Sequence, residues 1–464
     1  CPRLEGRPAL ATGWARWAAP GSCSWSRCPG RTSWDLIRNW WPVLLGNVLE
    51  WYEFAIYSYL AKYITANFFS NGRGGSFGTW GSFAITFLFR PLGGLVFGNL
   101  ADRMGRKPAM QITISLMLVS TVLQGCIPSF ECCGEGWGWF GIVALTILRA
   151  MQGLSAGGEL STAAVYIGET SPKASLGFNL SWISVTGAFG SWTVAALVVA
   201  LIESFLTAEE MVMWGWRLPY LTSLIPGLAL VLCRQWLEET PDFEELAKEQ
   251  AAKKAGQEVA ASAEIEDGIS TSTGSEQYTG PCQELLHEHK LALLIGTMGT
   301  AGCGALWFVP PIYGVQFIAE DNDIASSAVT FSRMLTYLVP TVLAPAVGVL
   351  IDKWGAGKVF TLMVVLGGII APAPLLYWWA HTPQEQAIGA LFWGQGILGL
   401  VMALTTSIYL WVIELFPVRV RATGVSFAYN LGVGVFGGLG PLICDAASEA
   451  ISPQAPLSAP ALFT

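Results

Sequence analysis

GNLADRMGRK, residues 98–107, sets four charged side chains (Asp102, Arg103, Arg106 and Lys107) between two long runs, 77–99 and 108–128, whose only charge is Arg90. Each run meets the roughly 20 residues that a helix needs to cross a bilayer. The stretch therefore reads as a tight hydrophilic turn joining two membrane spans. It has an echo in GVLIDKWGAGK at 348–358. Gly98 and Gly348, like Asp102 and Asp352, stand 250 residues apart, and Glu169–Pro172 precede Glu414–Pro417 by 245. Two echoes at nearly one offset predict a duplicated helical unit, the parallel repeat that in some transporters packs around a midplane site.

Working outward from these turns, apolar runs lie near 41–66, 77–99, 108–128, 138–166, 176–202, 213–235, 290–318, 328–351, 358–380, 386–412 and 421–446, eleven in all. Lipid offers the backbone no hydrogen-bond partner, so each run is predicted to be helical. Composition agrees: 53% of residues are hydrophobic and 12% charged, against roughly 25% charged in a soluble domain. The fold class is an all-α polytopic membrane protein. The net charge of -8 gathers largely in two acidic stretches, 203–210 and 238–276, and no basic stripe suggests nucleic acid. Short loops after runs 2, 4, 8 and 10 carry Arg103, Arg106, Lys107, Lys173, Lys353, Lys358, Arg419 and Arg421, whereas the odd loops hold one basic residue, Arg73. The positive-inside rule then puts the N-terminus and the even loops in the cytoplasm.

The chain divides accordingly. Residues 40–235 form a first bundle of six spans and 290–446 a second of five. Between them, 236–289 is a cytoplasmic linker that opens on a short surface helix (EELAKEQAAKKA) and becomes flexible at DGISTSTGSEQ. Residues 1–39 read as an extension outside the fold, either a transit peptide or a gene-model artefact, and 447–464 as a truncated tail. The ten cysteines show no metal-ligand spacing, and Cys132 and Cys133 are expected as unpaired thiols in an outer loop.

GNLADRMGRK resembles the loop 2–3 signature of the major facilitator superfamily, matching G-x-L-x-D-R-x-G-R-K throughout. EWYEF in run 1, FLFRPLGG in run 2, LRAMQGLSAGGE in run 4, WGWRLPYL and ETPDF around run 6, and ELFPVRVRATG before run 11 are similar to the metabolite–proton symporter branch. That branch includes proline/betaine, α-ketoglutarate, shikimate and citrate permeases. ETPDF stands where the sugar-porter branch usually carries P-E-S-P-R. The resemblance implies two six-helix bundles around a central cavity, with a twelfth span not visible here. It also implies alternating access and a gating role for the 98–107 turn.

Charges inside a bilayer are costly and are functional candidates by default. Glu50 and Glu53, three residues apart and so on one helix face, are read as proton-coupling acids. Arg90 and Arg149 either hold a substrate carboxylate, which the guanidinium fork suits, or pair with those acids and fix helix packing. Trp307, Trp393, Gln395, Tyr429 and Asn430 are candidate cavity residues, aromatic faces suiting a quaternary ammonium. Gly98, Asp102, Arg103, Gly105, Arg106, Glu159 and Asp352 are assigned to the gate, Asp102 accepting from exposed helix N-terminal N–H groups. The expected function is proton-coupled symport of a small carboxylate, proline or betaine-like solute across the plasma membrane by a monomer. No cofactor, metal or catalytic residue is expected. A uniporter or antiporter of the same fold, or a sensor without flux, is the alternative.

Overall fold

The computed structural model describes residues 33–249, 251–252, 280–315, 324, 326–370, 372–437 and 439. Residues 1–32, most of the linker and the 447–464 tail lie outside them, and with them the expectations made there. Among the described residues all regular structure is helical, and helix falls within each of the eleven apolar runs. Among the described residues, seven stretches are long and apolar enough to cross a membrane.

The first bundle comprises α1 (Ser33–Tyr59), α2 (Gly75–Met104), α3 (Arg106–Gly125), α4 (Glu135–Thr170), α5 (Leu176–Ser184), α6 (Ser191–Phe205) and α7 (Leu224–Cys233). A short α8 (Pro281–Glu288) leads into the second: α9 (Lys290–Phe308), α10 (Ser326–Trp354), α11 (Ala356–Met363), α12 (Pro372–Ala380), α13 (Ala387–Ala403), α14 (Ser407–Glu414) and α15 (Arg421–Tyr429). The linker opens as helix over 241–249, as its composition predicts. Wide π-helical turns interrupt several spans, among them Val185–Gly190, Val309–Gly314 and Asn430–Gly437. Pro310 and Pro311 fall in the second of these. A proline clashes with the carbonyl four residues back, so α9 stops at Phe308 and the chain continues in the looser turn.

Small residues set the packing of α2 on α4. A side chain at Gly153 would run into the carbonyl oxygen of Thr86, and one at Gly157 into that of Arg90. The backbones thus meet directly, the arrangement small residues allow between membrane helices. The halves then interlock reciprocally: α2 packs on α15, and α10, its repeat counterpart, packs on α5. One expectation fails. Cys132 and Cys133 are joined by a disulfide, because the turn Phe130–Cys133 brings the neighbouring sulfurs together ahead of Gly134, whose φ of 81° reverses the chain.

Candidate functional site

At the end of the molecule carrying the basic loops, the two bundles are bolted together. Gly98 lies flat on α15, where a Cβ would come within 2.7 Å of the Thr423 Cα. Asp102, one turn on, accepts from the backbone N–H of Ala422 (3.1 Å) and Thr423 (2.8 Å) and from the Thr423 hydroxyl (2.7 Å). These are free N–H groups of a helix N-terminus, whose dipole favours a carboxylate. The repeat does the same on the other side. A Cβ on Gly348 would come within 2.7 Å of the Phe178 Cα, and Asp352 accepts from the N–H of Gly177 (2.6 Å) and Phe178 (3.0 Å) at the start of α5.

Around Asp102 the bolt widens into a network. Arg106 reaches Asp102 at 3.3 Å, holds both oxygens of Glu169 at 3.0 Å, and donates to the Val418 carbonyl at 3.2 Å. Arg421 of the second bundle donates to Glu169 (3.0 Å) and Asp242 (3.4 Å). Glu239 accepts from the N–H of Arg106 (2.9 Å) and Lys107 (3.1 Å), capping α3. Gly105, at φ 105°, makes the reversal that presents those donors. Burial, then the neighbouring Glu169 carboxylate, hold Asp242 above its ordinary range, against the pull of Arg421. Arg103 stays outside the network, exposed and bonded to Asn99 at 3.2 Å. Glu159 also lies outside this network. It pairs with Arg234 inside the first bundle and touches neither Asp102 nor the second bundle among the bonds described.

Deeper in the first bundle stand the predicted acids. Glu50 accepts from Arg90 at 2.7 Å, and the Arg90 Nε donates to Asn430 Oδ1 at 3.0 Å. Asn430 also donates to the Gly157 carbonyl at 2.6 Å, so this ion pair is tied to the second bundle at mid-depth. Glu53 accepts from Gln152 (2.9 Å) and from the Thr121 hydroxyl. Gln152 Oε1 in turn accepts from Arg149 at 2.7 Å. Arg149 lies 3.7 Å over the Tyr57 ring, and its Nε and Nη2, both buried, have no hydrogen-bond partner. Of the two readings offered by the sequence, Arg90 fits pairing with an acid. Arg149 is joined to Glu53 through Gln152 and keeps free donors.

Between the bundles lies a cavity of about 70 Å³ walled by Trp51, Trp192, Trp307, Phe308, Tyr337 and Tyr409, with Thr405 and Thr406 as polar points. Trp307 donates its indole N–H to Thr405 at 3.0 Å. Trp192 and Tyr337 stack across the two bundles, ring centroids 6.4 Å apart and planes 8° from parallel. Tyr429 stacks behind Tyr409 at 6.1 Å. Gln395 is buried and bonded to Thr336 within the second bundle. Trp393 is 73% exposed on the outer surface of α13, away from the cavity. The structure thus brings Trp307 to the wall, sets Tyr429 just behind it, and places Asn430 at the bundle interface.

A family model described as "Sugar (and other) transporter" matches residues 40–455. The chain belongs to this family. The sugar (and other) transporter family member is 30% identical over 412 residues to the ectoine/proline transporter of Corynebacterium glutamicum, covering 86% of this chain and 76% of that one. It is 28% identical over 404 residues to the glycine betaine/proline/ectoine/pipecolic acid transporter of Dickeya dadantii, covering 86% and 75%. Among solved structures it is similar to the major facilitator superfamily proton:xylose symporter XylE bound to 6-bromo-6-deoxy-D-glucose, with a TM-score of 0.72, 15% identity and 91% of each chain covered. The major facilitator fold expected from the sequence is therefore present.

Several residues of this transporter's site escaped sequence reasoning. Glu169, Arg421 and the Glu239–Asp242 segment fall in motifs noted for resemblance or repeat, yet their mutual bonding gives no sequence signal. Gln152 and Thr121 are neutral and common in helices. Arg234, at the end of a span, looks like an ordinary interfacial charge.

Proposed function

We propose that this transporter carries a small zwitterion of the proline or betaine class together with protons, by alternating access across the plasma membrane, with its N-terminus and basic-loop end in the cytoplasm. The observation that carries the reading is the aromatic cavity between the bundles, in a molecule whose first bundle also buries the bonded set Glu53, Gln152 and Arg149. A quaternary or secondary ammonium is attracted to aromatic faces, and six such rings line the cavity. The two relatives are named for proline, ectoine, glycine betaine and pipecolic acid, all zwitterions.

The coupling follows from charge. With Glu53 ionised, its carboxylate offsets the Arg149 cation through Gln152. When Glu53 takes a proton, Arg149 is left uncompensated with two free donors. The local positive potential then attracts a solute carboxylate, so proton binding prepares solute binding. Closure at the cytoplasmic end, by Asp102, Asp352 and the Arg106–Glu169–Arg421 network, defines a state shut to the cytoplasm. Entry on that side requires those bonds to part.

The test is uptake of labelled proline, glycine betaine, ectoine and xylose into proteoliposomes, with and without an inward acid gradient. Gradient-dependent accumulation of a zwitterion is expected, and Glu53→Gln is expected to abolish the dependence. Uptake indifferent to the gradient would make the protein a uniporter, and preference for xylose would overturn the substrate class.

A further inference from the structure

Gly46, Glu50 and Glu53 are spaced four and three residues apart on α1 and therefore share one helix face. Each marks a level at which a carboxylate is buried. At Glu53 the partners are Gln152, Thr121 and, through Gln152, Arg149. At Glu50 the partner is Arg90. At Gly46 the carboxylate comes from another helix: Glu159 of α4. A side chain on residue 46 would collide with the Arg234 Nη2 and the Glu159 Oε1, so α1 is bare there and the ion pair presses against its backbone.

The third level is as fully built as the other two. Arg234 donates to Glu159 from both Nη atoms, and also to the Met110 carbonyl (2.8 Å) and the Pro42 carbonyl (3.3 Å). Thr113 donates its hydroxyl to Glu159 at 2.5 Å. Glu159 and Arg234 are both completely buried, yet Gln235 and Trp236, immediately following, are exposed. The pair is thus the innermost of the three levels on this face, and the exposed Gln235 follows Arg234 directly. From Glu53 to Gly46 the face descends about 10 Å at 1.5 Å per residue.

We infer that Glu159, held by Arg234, is the exit station of the proton path, receiving by way of Glu50 the proton that Glu53 loads and passing it to cytoplasmic water. The inference rests on the proton-symport reading above and adds to it the route of release. In each step one carboxyl O–H bond breaks and another forms on the next carboxylate, and the donor returns to its ionised form beside its own cationic or amide partner. In the last step the proton leaves Glu159 for water. A purely packing role accounts less well for the arrangement. A buried ion pair holds helices together no better than apolar residues of similar volume, and packing alone gives no reason for this pair to fall on the face of the two mid-depth acids.

The experiment compares net and exchange transport of labelled proline in proteoliposomes. Accumulation driven by an inward acid gradient needs a proton released at every cycle. Proline counterflow at equal pH on both sides does not. Wild type is expected to do both. Glu159→Gln is expected to lose accumulation by roughly tenfold or more and to keep counterflow within about twofold of wild type. Glu159→Asp, which keeps the acid, is expected to fall between them in accumulation alone. That graded loss serves as the readout if the Gln variant does not fold. Parallel loss of both activities in the folded Gln variant, or in the Asp variant, would show a structural pillar and overturn the inference. Accumulation equal to wild type in Glu159→Gln would overturn it as well, while leaving symport intact. A wild type without gradient-driven uptake removes the symport reading itself, and the inference with it.

Discussion

Gln152 is bonded at both ends, donating to Glu53 and accepting from Arg149, so among the described residues it is the hydrogen-bonded link between acid and guanidinium. Gln152→Leu keeps the volume and cuts both bonds. A lost hydrogen bond to a charged group costs about 1.5–3 kcal/mol, so solute uptake should fall roughly ten- to a hundredfold, with a displaced pH profile. An unchanged profile would mean that Glu53 and Arg149 act independently. Asp242 gives a second prediction at this scale. Burial raises its carboxyl in the closed state, so that state binds the proton more readily than an open one with Asp242 in water. Between its raised value and the ordinary one near 3.9, acidification therefore favours closure, and the contribution is lost as pH rises through the raised value. Asp242→Asn should remove this acid-side gain, read as the difference in melting temperature between variant and wild type across pH 4 to 7. The legibility of single residues follows the same physics. Glu50, Glu53, Arg90 and Arg149 stand out in the sequence because a charge in lipid is anomalous. Gln152 and Asn430 carry no charge, and their importance comes from partners that only the fold supplies.

Helix against helix, glycine decides what can approach. Gly157 lets α4 lie on the Arg90 carbonyl, and Gly157→Val should overpack that contact at a cost of about 1–3 kcal/mol, seen as a lower melting temperature. Gly98→Val acts elsewhere, between the bundles rather than within one. It should leave the melting temperature of the first bundle nearly unchanged while increasing labelling of a cysteine placed at the cytoplasmic face, because α2 can no longer seat on α15. Equal effects from both substitutions would mean that closure and bundle folding are one event. At this scale the sequence is most informative. Apolar runs, basic loops and the offsets of 250 and 245 anticipate the helices and the repeat that relates α2 to α10, whereas the docking of α2 on α15 and α10 on α5 comes from the fold. It is least informative where the backbone departs from the α-helix, as in the π turns at Val185–Gly190 and Asn430–Gly437, because no residue pattern there distinguishes a wide turn from an ordinary one. The Cys132–Cys133 bond is illegible for a related reason: adjacency in sequence says nothing of the turn that joins the sulfurs.

Across the whole molecule, the Asp102 and Asp352 posts stand on two sides of one interface, and both must release for the cytoplasmic side to open. Asp102→Ala removes three accepted hydrogen bonds and Asp352→Ala two. Each single variant should raise the inward-open population, measured by cytoplasmic cysteine labelling, and the double variant should raise it by the product of the single effects if the posts are independent. A smaller effect in the double variant would show that the bundles can hinge about one remaining post. The Trp192–Tyr337 stack bears on the same balance from the opposite face. One aromatic pair contributes about 0.5–1.5 kcal/mol beyond the area it buries, whereas the inner end is held by Asp102, Asp352 and the Arg106–Glu169–Arg421 network. If the stack is the weaker hold, the outer lid parts more readily than the inner lock. On the orientation proposed above, an unloaded carrier built that way idles with its mouth towards the medium, ready to catch a scarce solute, its sense of direction set by the unequal strength of two doors before any gradient is applied.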